Sequence, residues 1–257
     1  VKSRVLGYLF YGLLGLGLCL KSGGVFSASA LSASVNFGQL QAFRQESLCE
    51  AWPLRIMPLG DSITHGATVE GGYRTGLWEQ LQRDRWGVDF VGSQFHGPIG
   101  IDRDHEGHPG KAVQFVREEV RGWLNAGRPH IILLMIGTNN VLYPEPHDFP
   151  GTAARLDSLV GQITTIAPDA EVLVASIPVL ANPSANARAR VFAQEVQAIA
   201  NTRAAQGRQV SYVDMYSVLE LADLADGVHP NAAGYEKMAD VWYEAIAQLM
   251  AQRCQPQ

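Results

Sequence analysis

The sequence predicts a doubly wound α/β domain, and three observations carry that expectation. Five short apolar runs alternate with five longer segments of helical spacing. The runs are nearly continuous in apolar residues rather than alternating, as expected of parallel strands covered on both faces. The composition, 47% hydrophobic and 18% charged over 257 residues, supplies one sizeable core.

The elements follow in order. "LRIMPLG" from Leu54 reads as the first strand. Leu77, Leu81 and the neighbouring Trp78 mark the helix after it. "VDFVGS" from Val88 is the second strand, and Val113, Val116 and Val120 mark the second helix. "HIILLMIG" from His130 is the third strand, followed by a helix through Leu156, Leu159, Ile163 and Ile166. "EVLVASIP" from Glu171 leads to a helix with Val191, Val196 and Ile199. "VSYVDMYS" from Val210 leads to a last helix carrying Tyr235, Met238, Trp242, Ile246 and Leu249.

Upstream of these elements the pattern changes. Lys2 and Arg4 precede an uncharged apolar run, Val5 to Leu20. As a helix it reaches about 24 Å, short of the roughly 30 Å of a bilayer core. Small residues follow, ending Ala28-Ser29-Ala30. A cleaved secretory leader is expected over 1–30, with an uncleaved membrane anchor as the alternative. Cys19 does not form a lipoprotein site, because Leu18 stands where a small residue is needed. Residues 31–50 are Ser-, Gln- and Ala-rich without a period and read as a linker or loose arm. The α/β domain is expected over 51–257.

The leader contains three basic residues and no acid, so its loss takes the net charge from −5 to −8. No basic stripe is visible, which argues against nucleic acid as a partner. Losing Cys19 leaves Cys49 and Cys254, and a remaining pair in an exported chain predicts a disulfide.

Ligands of such a sheet bind beyond the carboxyl ends of the strands. The loops there contain Ser62, His105, Glu106, His108, Asn139, Asp226 and His229, which are expected to share one rim. A serine needs a base within hydrogen-bond reach, and the base an orienting group. Ser62 as nucleophile, His229 as base and Asp226 as its partner meet that need. The oxyanion formed on attack needs donors. The Ser62 and Gly110 N–H groups and the Asn139 amide are the candidates. Each residue has a plainer alternative. Ser62 could cap a helix, Asp226, His229 and Asn139 could be turn residues, and Gly110 could serve backbone conformation, with Gly107 as its rival. Asp104, His105, Glu106 and His108 match no metal signature, so no metal is expected, and His65 reads as structural.

These blocks resemble a known family. "GDS" at Gly60–Ser62, the loop glycine Gly110, "GTNN" at Gly137–Asn140 and "DGVH" at Asp226–His229 look like the four blocks of SGNH (GDSL) hydrolases. "MPLGDSITHG", "GGYR", "VDFVGS", "HEGHPG", "LLMIGTNN" and "DGVHPNAAGYEKMA" resemble the acetyl xylan esterase-like branch, carbohydrate esterase family three. The resemblance implies a three-layer α/β/α, flavodoxin-like fold with a parallel five-stranded sheet. It implies the roles already given to Ser62, Asp226, His229, Gly110 and Asn139. Many relatives carry "GTND", so Asn140 departs from the pattern and a local hydrogen bond is expected to be missing. The expected activity is a secreted, cofactor-free serine esterase that removes acetyl groups from plant polysaccharide such as xylan. The expected partners are acetylated polysaccharide or a small ester, with no stable membrane association after leader cleavage and a monomeric chain. A lipid or thioester hydrolase on the same site, and a carbohydrate-binding protein on a retired hydrolase fold, are the alternatives.

Overall fold

The computed structural model describes residues 48–254. The leader expected over 1–30 and the arm over 31–50, save its last three residues, lie outside the described residues. Among the described residues no helix is long and apolar enough to cross a membrane.

A parallel sheet forms around β1 (Leu54–Gly60). On one side β1 pairs with β5 (Ile131–Met135), then β6 (Glu171–Ala175) and β7 (Val210–Val213) follow, all parallel. On the other side its amino half pairs with β2 (Val88–Phe90) and its carboxyl end with β4 (Asp104–Gly107). β3 (Gln94–Phe95) runs antiparallel to β4. The five expected strands are all present, and two more bring the sheet to seven. The additional pair lies in a stretch read as loop. β4 is "DHEG", with no apolar run to signal a strand; its Glu106 is held by polar contacts instead of by apolar packing.

Alternation along the strands builds the two outer layers. Met57, Leu59, Ile132 and Leu134 face α3 (Val113–Gly127), α6 (Thr152–Ile166) and α7 (Pro183–Ala205). Ile56, Ile131, Leu133 and Met135 face α2 (Tyr73–Arg83) and α8 (Ala232–Arg253). Both faces of β5 are therefore covered, and its run carries no polar residue because neither side meets water. The α8 stripe of Tyr235, Met238, Trp242, Ile246 and Leu249 is buried throughout. Three short helices interrupt the carboxyl-end loops: α1 (Ser62–His65), α4 (Thr138–Leu142) and α5 (Pro144–His147).

Cys49 and Cys254 form the expected disulfide, with their Cα atoms 5.4 Å apart. The bond joins the segment before β1 to the residue after α8. α8 starts beside the carboxyl-end rim and runs about 33 Å from it, so the disulfide sits at the opposite, amino-end face.

Candidate active site

A cleft of about 440 Å³ opens at the carboxyl-end rim. Ser62 lines it from the first turn of α1, directly after β1. Gly110 enters from the loop after β4, Asn139 from the first turn of α4, and Asp226 and His229 from the segment before α8. That segment is folded back on itself: Ala225 N–H donates to His229 O (2.8 Å) and Asn231 N–H to Asp223 O (2.7 Å). The loop after β6 braces it, through Ala181 N–H to Gly227 O at 2.9 Å.

Three side chains form one hydrogen-bonded line. Ser62 Oγ lies 2.8 Å from His229 Nε2. His229 Nδ1 lies 2.8 Å from Asp226 Oδ2. The other Asp226 oxygen accepts the backbone N–H groups of His229 (2.8 Å) and Val228 (3.0 Å). Partial burial works against the Asp226 anion. The hydrogen bonds from His229 and Val228 outweigh it and hold the carboxyl below its ordinary pKa. An ionised Asp226 accepts a hydrogen bond from Nδ1–H, the arrangement that turns the Nε2 lone pair toward the serine hydroxyl.

Asp61 orders the start of α1. Its carboxylate is fully buried and accepts Ile63 N–H at 3.0 Å. Burial pushes its pKa up, against that bond. With Asp61 at the cap, the Ser62 N–H stands in the first turn, where a helix offers it no carbonyl. Asn139 Nδ2 donates one hydrogen to Lys111 O (2.9 Å), which ties it to the Gly110 loop and leaves its second hydrogen unused by that bond. Gly110 has φ +74°, and a Cβ there meets nothing within 4 Å. Glycine is therefore needed for the backbone angle, not to clear space. Its rival Gly107 is a packing glycine of β4: a Cβ there falls 2.5 Å from His65 N.

The expected rim is corrected in part. His105, Glu106 and His108 do not line the cleft. His105 and Glu106 belong to a strand of the sheet and are buried. Glu106 accepts Ser93 N–H (2.6 Å), Ser93 Oγ–H (3.0 Å) and His108 Nε2–H (2.8 Å), binding the chain after β2 to β4. His108 stacks on Trp123 of α3, with centroids 4.5 Å apart. His65 stacks on His96 at 4.0 Å. The buried Arg74 of "GGYR" holds the end of α1, donating to Thr64 O (3.0 Å), His65 O (3.1 Å) and His96 O (2.7 Å). Asp104, His105, Glu106 and His108 do not converge as a metal-ligand group, and no other such group of three occurs among the described residues.

Asn140 overturns the expected loss of a bond. Its Oδ1 accepts Val113 N–H at the start of α3 (3.1 Å), and its Nδ2 reaches Gln114 Oε1 (3.1 Å) and His147 O (3.4 Å). Tyr143, which sequence reasoning did not single out, also lines the cleft. Its signal was faint: one aromatic before a proline in "VLYPEP".

Fold and cleft are those of an SGNH-type carboxylic ester hydrolase. Within that class the chain belongs to the GDSL-like lipase/acylhydrolase family, which it matches over residues 59–237. A family 3 carbohydrate esterase from Clostridium thermocellum is 32% identical, with a TM-score of 0.68 over 78% of this chain and 98% of that one. A carbohydrate esterase family 3 structure from Talaromyces cellulolyticus is 25% identical, with a TM-score of 0.68 over 77% of this chain and 99% of that one. A multidomain esterase from Ruminococcus flavefaciens is 34% identical, and the match covers 76% of this chain. The chain spans 29% of the length of that relative.

Proposed function

We propose that this protein is an exported esterase that removes acetyl groups from a neutral plant polysaccharide such as xylan. The observation that carries the reading is the Asp226–His229–Ser62 line of 2.8 Å contacts opening into a cleft with no Lys or Arg among its lining residues. A phosphate-bearing lipid headgroup finds no cation there. The apolar wall, Ala67, Pro109, Leu142 and Val228, is short for a long acyl chain. The family 3 carbohydrate esterase relative supports the same substrate class. The disulfide supports an oxidising compartment.

In this mechanism His229 Nε2 takes the Ser62 proton as Oγ attacks the ester carbonyl carbon. The Ser62 and Gly110 N–H groups and Asn139 Nδ2–H bond the carbonyl oxygen as it becomes negative. The C–O bond to the sugar breaks, and the leaving oxygen takes the proton from His229. Water then gives a proton to His229 and attacks the acetyl-Ser62 carbonyl. The bond from the acetyl carbon to Oγ breaks, the His229 proton returns to Ser62, and acetic acid leaves and ionises in water. Asp226 keeps Nδ1 protonated and stabilises the imidazolium formed in both steps.

The test is a panel of aryl esters from acetyl to long acyl, with acetylated xylan beside it. Acetyl substrates are expected to turn over fastest. Ser62→Ala and His229→Ala are expected to lose on the order of 10⁴–10⁶ in kcat with the fold intact. A preference for long acyl chains, or near-normal turnover by Ser62→Ala, overturns the reading.

A further inference from the structure

Six large apolar or aromatic side chains are strongly exposed among the described residues, and Tyr143 is the one that lines the cleft. It stands 56% exposed, on the same wall as Asn139 and Leu142. An exposed tyrosine on a mobile loop would be unremarkable surface. The backbone that presents this one is pinned on both sides. Tyr143 N–H donates to Asn139 O (3.0 Å). Pro144 fixes the next φ. Beyond it, His147 O accepts Asn140 Nδ2–H (3.4 Å) and Arg155 Nη2–H (2.7 Å). Asn140 is itself fully buried. The backbone that presents the ring is thus held beside Asn139, so little backbone freedom remains to be lost when a ligand covers the ring.

The surface such a ring offers is a flat apolar face with a polar tip. It matches a ligand with C–H groups on one face and hydroxyls around its edge, which is the surface of a pyranose. We propose that Tyr143 is the sugar-ring platform of this site, against which the sugar bearing the ester packs while its acyl carbonyl faces Ser62. The proposal rests on the carbohydrate ester reading and adds a specificity-determining residue to it.

The experiment compares an acetylated xylo-oligosaccharide with ethyl acetate, which offers the same acyl group and no ring. The readout is the ratio of their kcat/KM values in wild type, Tyr143→Ala and Tyr143→Phe. Wild type is expected to favour the oligosaccharide. Tyr143→Ala is expected to lower the ratio about 3–10-fold, mainly through a higher KM for the oligosaccharide, and Tyr143→Phe to keep most of it. A wild-type preference that survives Tyr143→Ala overturns the platform and leaves the carbohydrate esterase reading standing. A wild type with no preference for the oligosaccharide overturns both. An unfolded Tyr143→Ala, seen as a lost thermal transition, leaves Tyr143→Trp and Tyr143→Leu to carry the comparison. The platform then requires a higher ratio for Trp than for Leu, and equal ratios overturn it.

Discussion

Asn139 and Asn140 carry the same side chain, and their surroundings separate them. Asn139 has one amide hydrogen on Lys111 O and reaches the cleft. A donor that meets the oxyanion stabilises the tetrahedral state more than the neutral ester, so its loss falls on kcat. Asn139→Ala is expected to lower kcat by about 10²–10³ with little change in KM. Asn140 bonds α3 and the α5 segment and does not line the cleft. Asn140→Ala leaves the buried Val113 N–H without its acceptor, at a cost of about 1–3 kcal/mol. Its kcat is expected to fall less than that of Asn139→Ala, while its thermal midpoint falls more. Kinetics on a small acetyl ester and a melting curve check both, and a larger kcat loss for Asn140→Ala contradicts the assignment. Ser62, Asp226, His229, Gly110 and Asn139 were legible as one group because spaced blocks in order constrain one another. The bonds of Asn140 were not legible. They depend on where α3 and α5 end up, which one local dipeptide does not encode.

Among the strands, β3 and β4 were hidden from the sequence, and His105 of β4 shows why. Apolar periodicity finds strands that bury carbon, whereas β4 buries a histidine and a glutamate in mutual contacts with neighbouring polar groups. His105 Nδ1 accepts Gly107 N–H at 2.8 Å, so that nitrogen is unprotonated in the fold. Burial, with Arg74, His65, His96 and His108 nearby, lowers the His105 pKa from 6.5 to about 2. Below pH 6.5 the unfolded chain takes up a proton at this residue and the folded chain does not. His105 therefore withdraws stability steadily as the pH falls from 6.5 toward 2. His105→Asn can keep an acceptor for Gly107 N–H and removes the titration. Its melting temperature is expected to decline less than that of wild type between about pH 6.5 and 4. Parallel acid-side slopes for the two proteins contradict this. The five apolar strands, by contrast, were read from their continuity and the five long helices from stripes at helical spacing, although Val191 of the α7 stripe is exposed.

For the molecule as a whole, the disulfide closes a loop with a sequence separation of 205. Chain entropy for so long a loop gives an upper value of about 5 kcal/mol. Removing it through Cys49→Ser is expected to lower the melting temperature by about 5–15 °C. Turnover at 25 °C is expected to persist, because the bond lies at the face opposite the cleft. Calorimetry and an acetyl ester assay on the same sample decide this, and an unchanged melting temperature contradicts it. The pairing was legible from cysteine arithmetic; the placement was not, since it follows from the direction in which α8 leaves the rim. The staple also sets how the domain meets a mechanical load. Tension applied through residues before Cys49 and after Cys254 crosses from one backbone to the other through sulfur, over a Cα separation of 5.4 Å. The sheet, α8 and the cleft between those cysteines hang slack beside that path. A pull that leaves the oxidised domain assembled would, once the bond is reduced, instead peel α8 from α2 and β7.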